Sequence, residues 1–281
     1  MKQTLKQLST LLPALSINCM AVTTISIDDA LRKSLIRADV TCKGGLILDY
    51  KIKNNINDSV KVIVPAGWRM NAMKENYQDV LVAHEQILAM GRNETKSFEI
   101  KGYCCEYTNS GPIKGLKYET GKLAETKLLL LAKYLNASKT DDNTEQYAVW
   151  AVSNNRPTAN ITGVNDSITE DLRKFVATIK DEPIPWYTLR KKAVINEYGN
   201  IHEYPIQLKA NVDYQVDKTC YAWFYVTDSL GNKVGEIKGQ WVNAGSQEYA
   251  VRLNIKGFKK GKYKMKLAGE NETFIDKEFE I

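Results

Sequence analysis

Through the first part of the chain the apolar residues fall at alternate positions. Ile36, Ala38, Val40 and Cys42 take one parity while Arg37, Asp39 and Thr41 take the other, and runs of similar character occupy 45–54, 59–68, 79–90 and 96–107. A side-chain period of two is that of a β-strand with one face against a core. Polar clusters such as NNIND and GRNET separate the runs, which predicts short antiparallel strands folded as a sandwich or barrel. A helix is expected ahead of them over 26–36, with Ser26 as N-cap, Asp28 and Asp29 in its first turn, and Ala30, Leu31 and Leu35 at helical spacing.

The period changes near residue 122. Leu123, Leu130, Leu131 and Tyr134 mark 122–135 as a helix, a second follows over 144–154, and a third over 167–179 opens with the capping-box pattern Ser167-x-x-Glu170. Pro183 and Pro185 then punctuate the chain, and alternating runs return at 192–198, 203–216, 219–228, 233–242, 247–255, 261–268 and 274–281. Seven or so short strands in about 100 residues suit an immunoglobulin-like module. The expected fold class is therefore mainly β: a β-sandwich or barrel with a helical subdomain over 22–182, then an immunoglobulin-like β-sandwich over 183–281.

Residues 1–21 follow neither pattern. A basic start, a short apolar stretch from Leu8 to Ile17 and the small residues before Val22 predict a secretory signal peptide, too short to span a bilayer. Cys19 offers a lipoprotein alternative. Either reading places the mature chain outside the cytoplasm: secreted, periplasmic or at a cell surface. The net charge of +6 is scattered along the chain rather than gathered on one face, so no nucleic-acid partner is expected.

Export changes what the remaining cysteines can do, because an oxidising compartment permits pairing. Parity puts Cys104 with Phe98, Ile100 and Gly102, and Cys105 with Glu99, Lys101 and Tyr103, so Cys104 is expected inside and Cys105 at the surface. Cys42 is also on an apolar face. A Cys42–Cys104 disulfide and two packed thiols are equally good readings; the bridge would contribute about 3–5 kcal/mol by loop closure. Cys220 shares a face with Ala222, Phe224 and Val226 and is expected unpaired.

The stretch GYCCEYTNSGP, followed by helical sequence and then TEQYAVWAV, resembles the thioester domains of bacterial surface adhesins. Tyr103-Cys104 matches the first motif of that family; Gln146, Ala148, Val149 and Trp150 match the second. The resemblance implies an internal thioester between Cys104 and Gln146 that captures surface amines, with Glu145 standing where the family has threonine. The residues themselves allow a plainer role. Gln146 lies on a helical face with Val149, Trp150 and Ser153, so its buried amide must find partners, which a pair of backbone hydrogen bonds to a neighbouring strand would provide. The second half of the chain resembles bacterial immunoglobulin-like modules.

Other chemistry is sparse. The two histidines, His84 and His202, lie in different halves, and no Gly-x-Ser-x-Gly, Walker or dinucleotide motif is present. No enzyme, metal or cofactor is expected, and His84 reads as an ordinary strand histidine. Asp28-Asp29 and Asp141-Asp142 read as capping or solvated carboxylates. Tyr221, Trp223 and Tyr225 alternate on one strand face, with Trp241 on a later strand. If exposed they form a platform about 13 Å long for sugar rings or an apolar partner; if covered they are packing. Trp68 and Trp186 are expected at a turn and at the junction of the two halves. Sequons at Asn57, Asn93, Asn136, Asn160, Asn165 and Asn271 read as exposed loops. These features together suggest a non-enzymatic adhesion or ligand-binding protein whose partner is a surface protein or glycan; the alternatives are a covalent thioester adhesin and a carbohydrate-binding accessory protein.

Overall fold

The structure, a computed structural model, describes residues 22–195 and 201–281. The expected signal segment and Cys19 lie outside those residues. The first half runs β1 (Thr23–Ser26), α1 (Ile27–Arg32), β2 (Ile36–Gly44), β3 (Ile47–Asn54), β4 (Val60–Val64), β5 (Trp68–Met70), β6 (Val80–Val82), β7 (Gln86–Met90), β8 (Thr95–Lys101), β9 (Tyr103–Cys104), β10 (Lys117–Tyr118) and β11 (Lys122–Leu123). Helices α2 (Thr126–Ala137), α3 (Asp142–Ser153) and α4 (Asp166–Lys180) follow, with a 3-10 turn at Thr158–Asn160 between the last two. The second half is β12 (Thr188–Ile195), β13 (Ile201–Val216), β14 (Cys220–Asp228), β15 (Lys233–Val242), β16 (Gly245–Asn254), β17 (Lys262–Ala268) and β18 (Thr273–Glu280). The chain is mainly β, as its periodicity predicts.

Three sheets build the first half, in the orders β1-β4-β7, β10-β2-β3-β8 and β11-β5-β6-β9. They enclose one core that includes Val40, Leu48, Tyr50, Val62, Trp68, Val80 and Ile100. The run 79–90 is two strands rather than one. The corner Ala83–Glu85 carries the chain from β6, paired with β5 and β9, to β7, paired with β4. All three residues of β6 are buried, because Val80 and Val82 face the sheet core while Leu81 faces a second core under the helices, with Leu128, Leu131, Val149 and Leu172.

Helix boundaries differ from the expected ones where capping differs. Ser26 does cap α1, accepting from the Asp29 N–H. Leu123, expected on a helix, is half exposed in β11, and α2 starts three residues later. The cap of α4 is Asn165, which accepts from the Ile168 N–H at 3.1 Å, so Ser167 lies within the helix. The mechanism is the expected one, a short polar side chain on an orphan amide, but the residue is different. Trp68 opens strand β5 and is buried, its indole N–H donating to Thr120 O at 3.0 Å.

The second half is a β-sandwich. Sheet β12-β13-β16 and sheet β15-β14-β17-β18 share one core containing Leu208, Val212, Phe224, Val226, Val251, Met265 and Leu267. Strand alternation leaves the other parity of β14 and β17 on the outer face. Part of the expected run 192–198 lies outside the described residues.

Candidate functional site

Strand β9 lies at the edge of its sheet, with β6 on one side only. Cys104 pairs with Val80 and Tyr103 with Leu81. Directly paired residues point the same way, so Cys104 belongs to the sheet-core side and Tyr103 to the helix side. Cys105 follows Tyr103: it is fully buried in the core under the helices. The expectation of a surface Cys105 is thus overturned. Alternation holds, but α2, α3 and α4 cover the second face.

The free edge of β9 is occupied by Gln146 from α3. Its amide oxygen accepts from the Cys104 N–H and its amide nitrogen donates to the Cys104 carbonyl, both at 2.9 Å. A carboxamide carries the donor and acceptor of a peptide group, so Gln146 pairs with β9 as one more strand residue would. The structure brings together the two residues that the adhesin resemblance singled out, in the hydrogen-bonded arrangement that the residues alone suggested.

All four described cysteines are free thiols. The Cys42–Cys104 bridge is not formed. Cys42 turns its thiol to the Gly45 carbonyl at 3.7 Å, and both side chains are packed. Burial, with Glu106 and Cys42 nearby, pushes the Cys104 thiol up to about 12. Burial also raises Cys105 well above the usual thiol range. Neither is poised as a thiolate nucleophile at neutral pH.

A polar cluster that the sequence did not announce flanks this edge. Glu145 is buried, accepts from the Thr140 hydroxyl at 2.7 Å and meets His84 Nε2 at 2.8 Å. His84 therefore sits at the β6–β7 corner and ties it to α3, rather than standing in a strand. On the other side, Arg69 bonds Asp79 at 2.9 Å and Glu106 at 2.6 Å, beside Cys105. The signal for both clusters is tertiary: 61 residues separate His84 from Glu145, and neither local spacing nor polarity distinguishes them from surface residues.

The aromatic face is the second candidate. Tyr221 and Trp241 are directly paired across β14 and β15. Tyr221 stands edge-on to Trp223, with ring centroids 5.1 Å apart, and to Trp241, at 5.7 Å. The Tyr221 hydroxyl donates to Gly239 O at 2.9 Å. A Cβ at Gly239 would lie 2.6 Å from the Tyr221 ring, so the close approach requires glycine there. Trp241 is 71% exposed, Trp223 40% and Tyr221 37%. Tyr225 continues the row under the Lys233 ammonium, 4.8 Å from its ring centroid. The packing alternative for this face therefore does not hold. Alternation put these rings on one outer face, and among the described residues no element covers it.

The remaining expectations fall as follows. Asp141 caps α3, accepting from Thr144 N at 3.1 Å, so its carboxylate has a structural role. Five sequon asparagines are exposed, but Asn136 lies in the last turn of α2 and Asn160 is buried in the 3-10 turn, which corrects the expectation of an exposed loop at both. Trp186 lies near the junction of the halves, its indole N–H donating to Glu278 O. Among the described residues no helix is long and apolar enough to cross a membrane, and no cluster of metal-ligating side chains occurs. The chain matches no family model, and no curated protein is similar to it in sequence.

Proposed function

We propose that this is a non-enzymatic ligand-binding protein of the cell exterior, and that it contacts carbohydrate through the outer face of the β15-β14-β17-β18 sheet. The observation that carries this reading is the exposure of Trp241, Trp223 and Tyr221 side by side on one rigid sheet. Large aromatics left in water cost burial energy, and a contiguous exposed group of them is characteristic of a contact surface. Rings held by a sheet stack on a sugar with little ordering cost, and because Tyr221 stands edge-on to Trp223 and Trp241 they offer separate stacking faces rather than one flat platform. An array of surface glycans probed with the full chain and with Trp241→Ala tests the reading. Binding by the wild type that is lost in the variant supports it, while equal binding by both chains removes this face from the function.

A second reading is favoured by one specific observation, the pairing of the Gln146 amide with the Cys104 backbone. The same adjacency is what a covalent thioester adhesin needs, in which the Cys104 thiol, protonated in its buried setting, gives up its proton, its sulfur attacks the Gln146 amide carbon and ammonia leaves. Intact mass decides. A thioester makes the chain about 17 Da lighter than its sequence, and methylamine adds to it; a chain of full mass that ignores methylamine has the amide.

A further inference from the structure

The aromatic row does not end in open surface. Register places Tyr225 opposite Lys266 and Thr227 opposite Lys264, with Lys262 two residues further along β17. Alternate residues share a face, so Lys262, Lys264 and Lys266 form a row on the same outer face as Tyr221, Trp223 and Tyr225. Because the strands are antiparallel, the two rows succeed one another along the sheet, overlapping at Tyr225 and Lys266. A groove of about 860 Å³ lies over that junction. Trp223, Tyr225, Lys233 and the three β17 lysines line it, with Asp228 and Glu278 as its two carboxylates, so four cations face two anions.

We infer that the carbohydrate this face takes is acidic, a polysaccharide bearing carboxylate or sulfate groups. The inference rests on the carbohydrate reading above and narrows it. Lysines are concentrated here by the pattern of β17, KYKMKLA, in which every outward residue before Ala268 is lysine. Lys264 and Lys266 meet Glu278 at 3.2 Å and Asp276 at 3.1 Å on β18. These are exposed pairs, which contribute little and exchange readily for another anion. Lys262 makes no ion pair among the described residues, although Glu280 is its register partner on β18. Lys233 lies over the Tyr225 ring, at the seam between the rows. A neutral glycan would use the rings and leave Lys264 and Lys266 in their exposed pairs with Glu278 and Asp276. A ligand with an anionic group on successive sugars engages both, stacking at the Trp241 end and pairing at the Lys262 end.

The test uses the full chain with matched polymers: polygalacturonate against its methyl ester, and dextran sulfate against dextran, measured by affinity electrophoresis at low and high salt. Trp241→Ala and the double variant Lys264→Gln/Lys266→Gln are run alongside, with thermal unfolding confirming that both fold. The expected result is that at least one acidic polymer binds about tenfold or more tightly than its neutral partner, weakens with salt, and loses about tenfold in each variant. Equal binding of a charged polymer and its neutral partner, unaffected by the lysine changes but lost in Trp241→Ala, overturns the acidic assignment and leaves the carbohydrate reading standing. Binding of no polymer by this face overturns both. Preference for single-stranded nucleic acid over every acidic polysaccharide also overturns the inference.

Discussion

Replacing Gln146 probes the joint between strand β9 and helix α3. In Gln146→Ala the Cys104 N–H and C=O lose their partners in a place closed to water. Each orphaned group costs about 1–3 kcal/mol, so the pair should cost roughly 2–6 kcal/mol, less the few tenths that alanine returns as a better helix former. Against a total stability of about 5–15 kcal/mol that is a large loss.

Gln146→Glu separates hydrogen bonding from packing, because the side chain keeps its shape. An ionised carboxylate accepts from the Cys104 N–H but turns a lone pair towards the Cys104 carbonyl, whereas the neutral acid can both accept and donate. The folded state therefore favours the protonated form, and the pKa of the introduced carboxyl in the folded variant is raised above its unfolded value of about 4.3. A raised folded pKa means that the contribution is present at low pH and lost as pH rises through it. The variant should be clearly less stable than wild type at pH 7.5, and the gap should narrow towards pH 4.5. Urea unfolding followed by tryptophan fluorescence at both pH values measures this. A variant as stable as wild type at pH 7.5, or a deficit that is the same at both pH values, would refute the strand-mimic account of Gln146.

Arg69→Met leaves Asp79 and Glu106 half-buried without their cation; a loss of about 3 kcal/mol or more is expected by urea unfolding. Lys191, between the halves, has its pKa lowered to about 8 by burial and by nearby Arg156. Its folded pKa lies below the unfolded value, so the unfolded chain binds more protons between the two, and stability from this group rises with pH from about 8 to about 10.4. Lys191→Met should then stabilise the protein at pH 7, by on the order of 1 kcal/mol once solvent relaxation is allowed for, and flatten that rise. In the sandwich, Phe224→Ala should cost about 3–5 kcal/mol while Trp241→Ala changes stability by no more than about 0.5 kcal/mol, a contrast that thermal unfolding reads directly.

What the sequence made legible, and what it hid, follows from one property of strands. Alternation divides side chains between two faces, and it did so correctly for Cys104 against Tyr103 and Cys105, and for Phe224 against Trp223. It says nothing of what lies beyond each face. The polar look of Glu99 and Lys101 suggested water beside Cys105, yet helices formed from residues much further along the chain cover that side. At β14 the apolar look of Tyr221, Trp223 and Tyr225 suited a covering layer equally well, and none of the described elements supplies one. The same limit hid the partnership of His84 with Glu145 and that of Arg69 with Glu106, because both are made by sheets and helices meeting rather than by neighbours along a strand.

Gln146 was the exception, and the reason is physical. A glutamine on one helical face with Val149, Trp150 and Ser153 has two polar atoms that burial obliges to be satisfied. Only a group offering one donor and one acceptor at peptide spacing answers both at once, and the free edge of a strand is the commonest such group in a β-rich protein. Which strand it would be was not legible: that β9 is short and ends its sheet is known only from the structure. A buried amide on a helix beside an unpaired strand edge thus predicts its own contact, whereas a buried carboxylate such as Glu145, with many acceptable partners, does not. The two residues adjoin in sequence and in space, and only the one with the more restrictive bonding geometry was readable in advance.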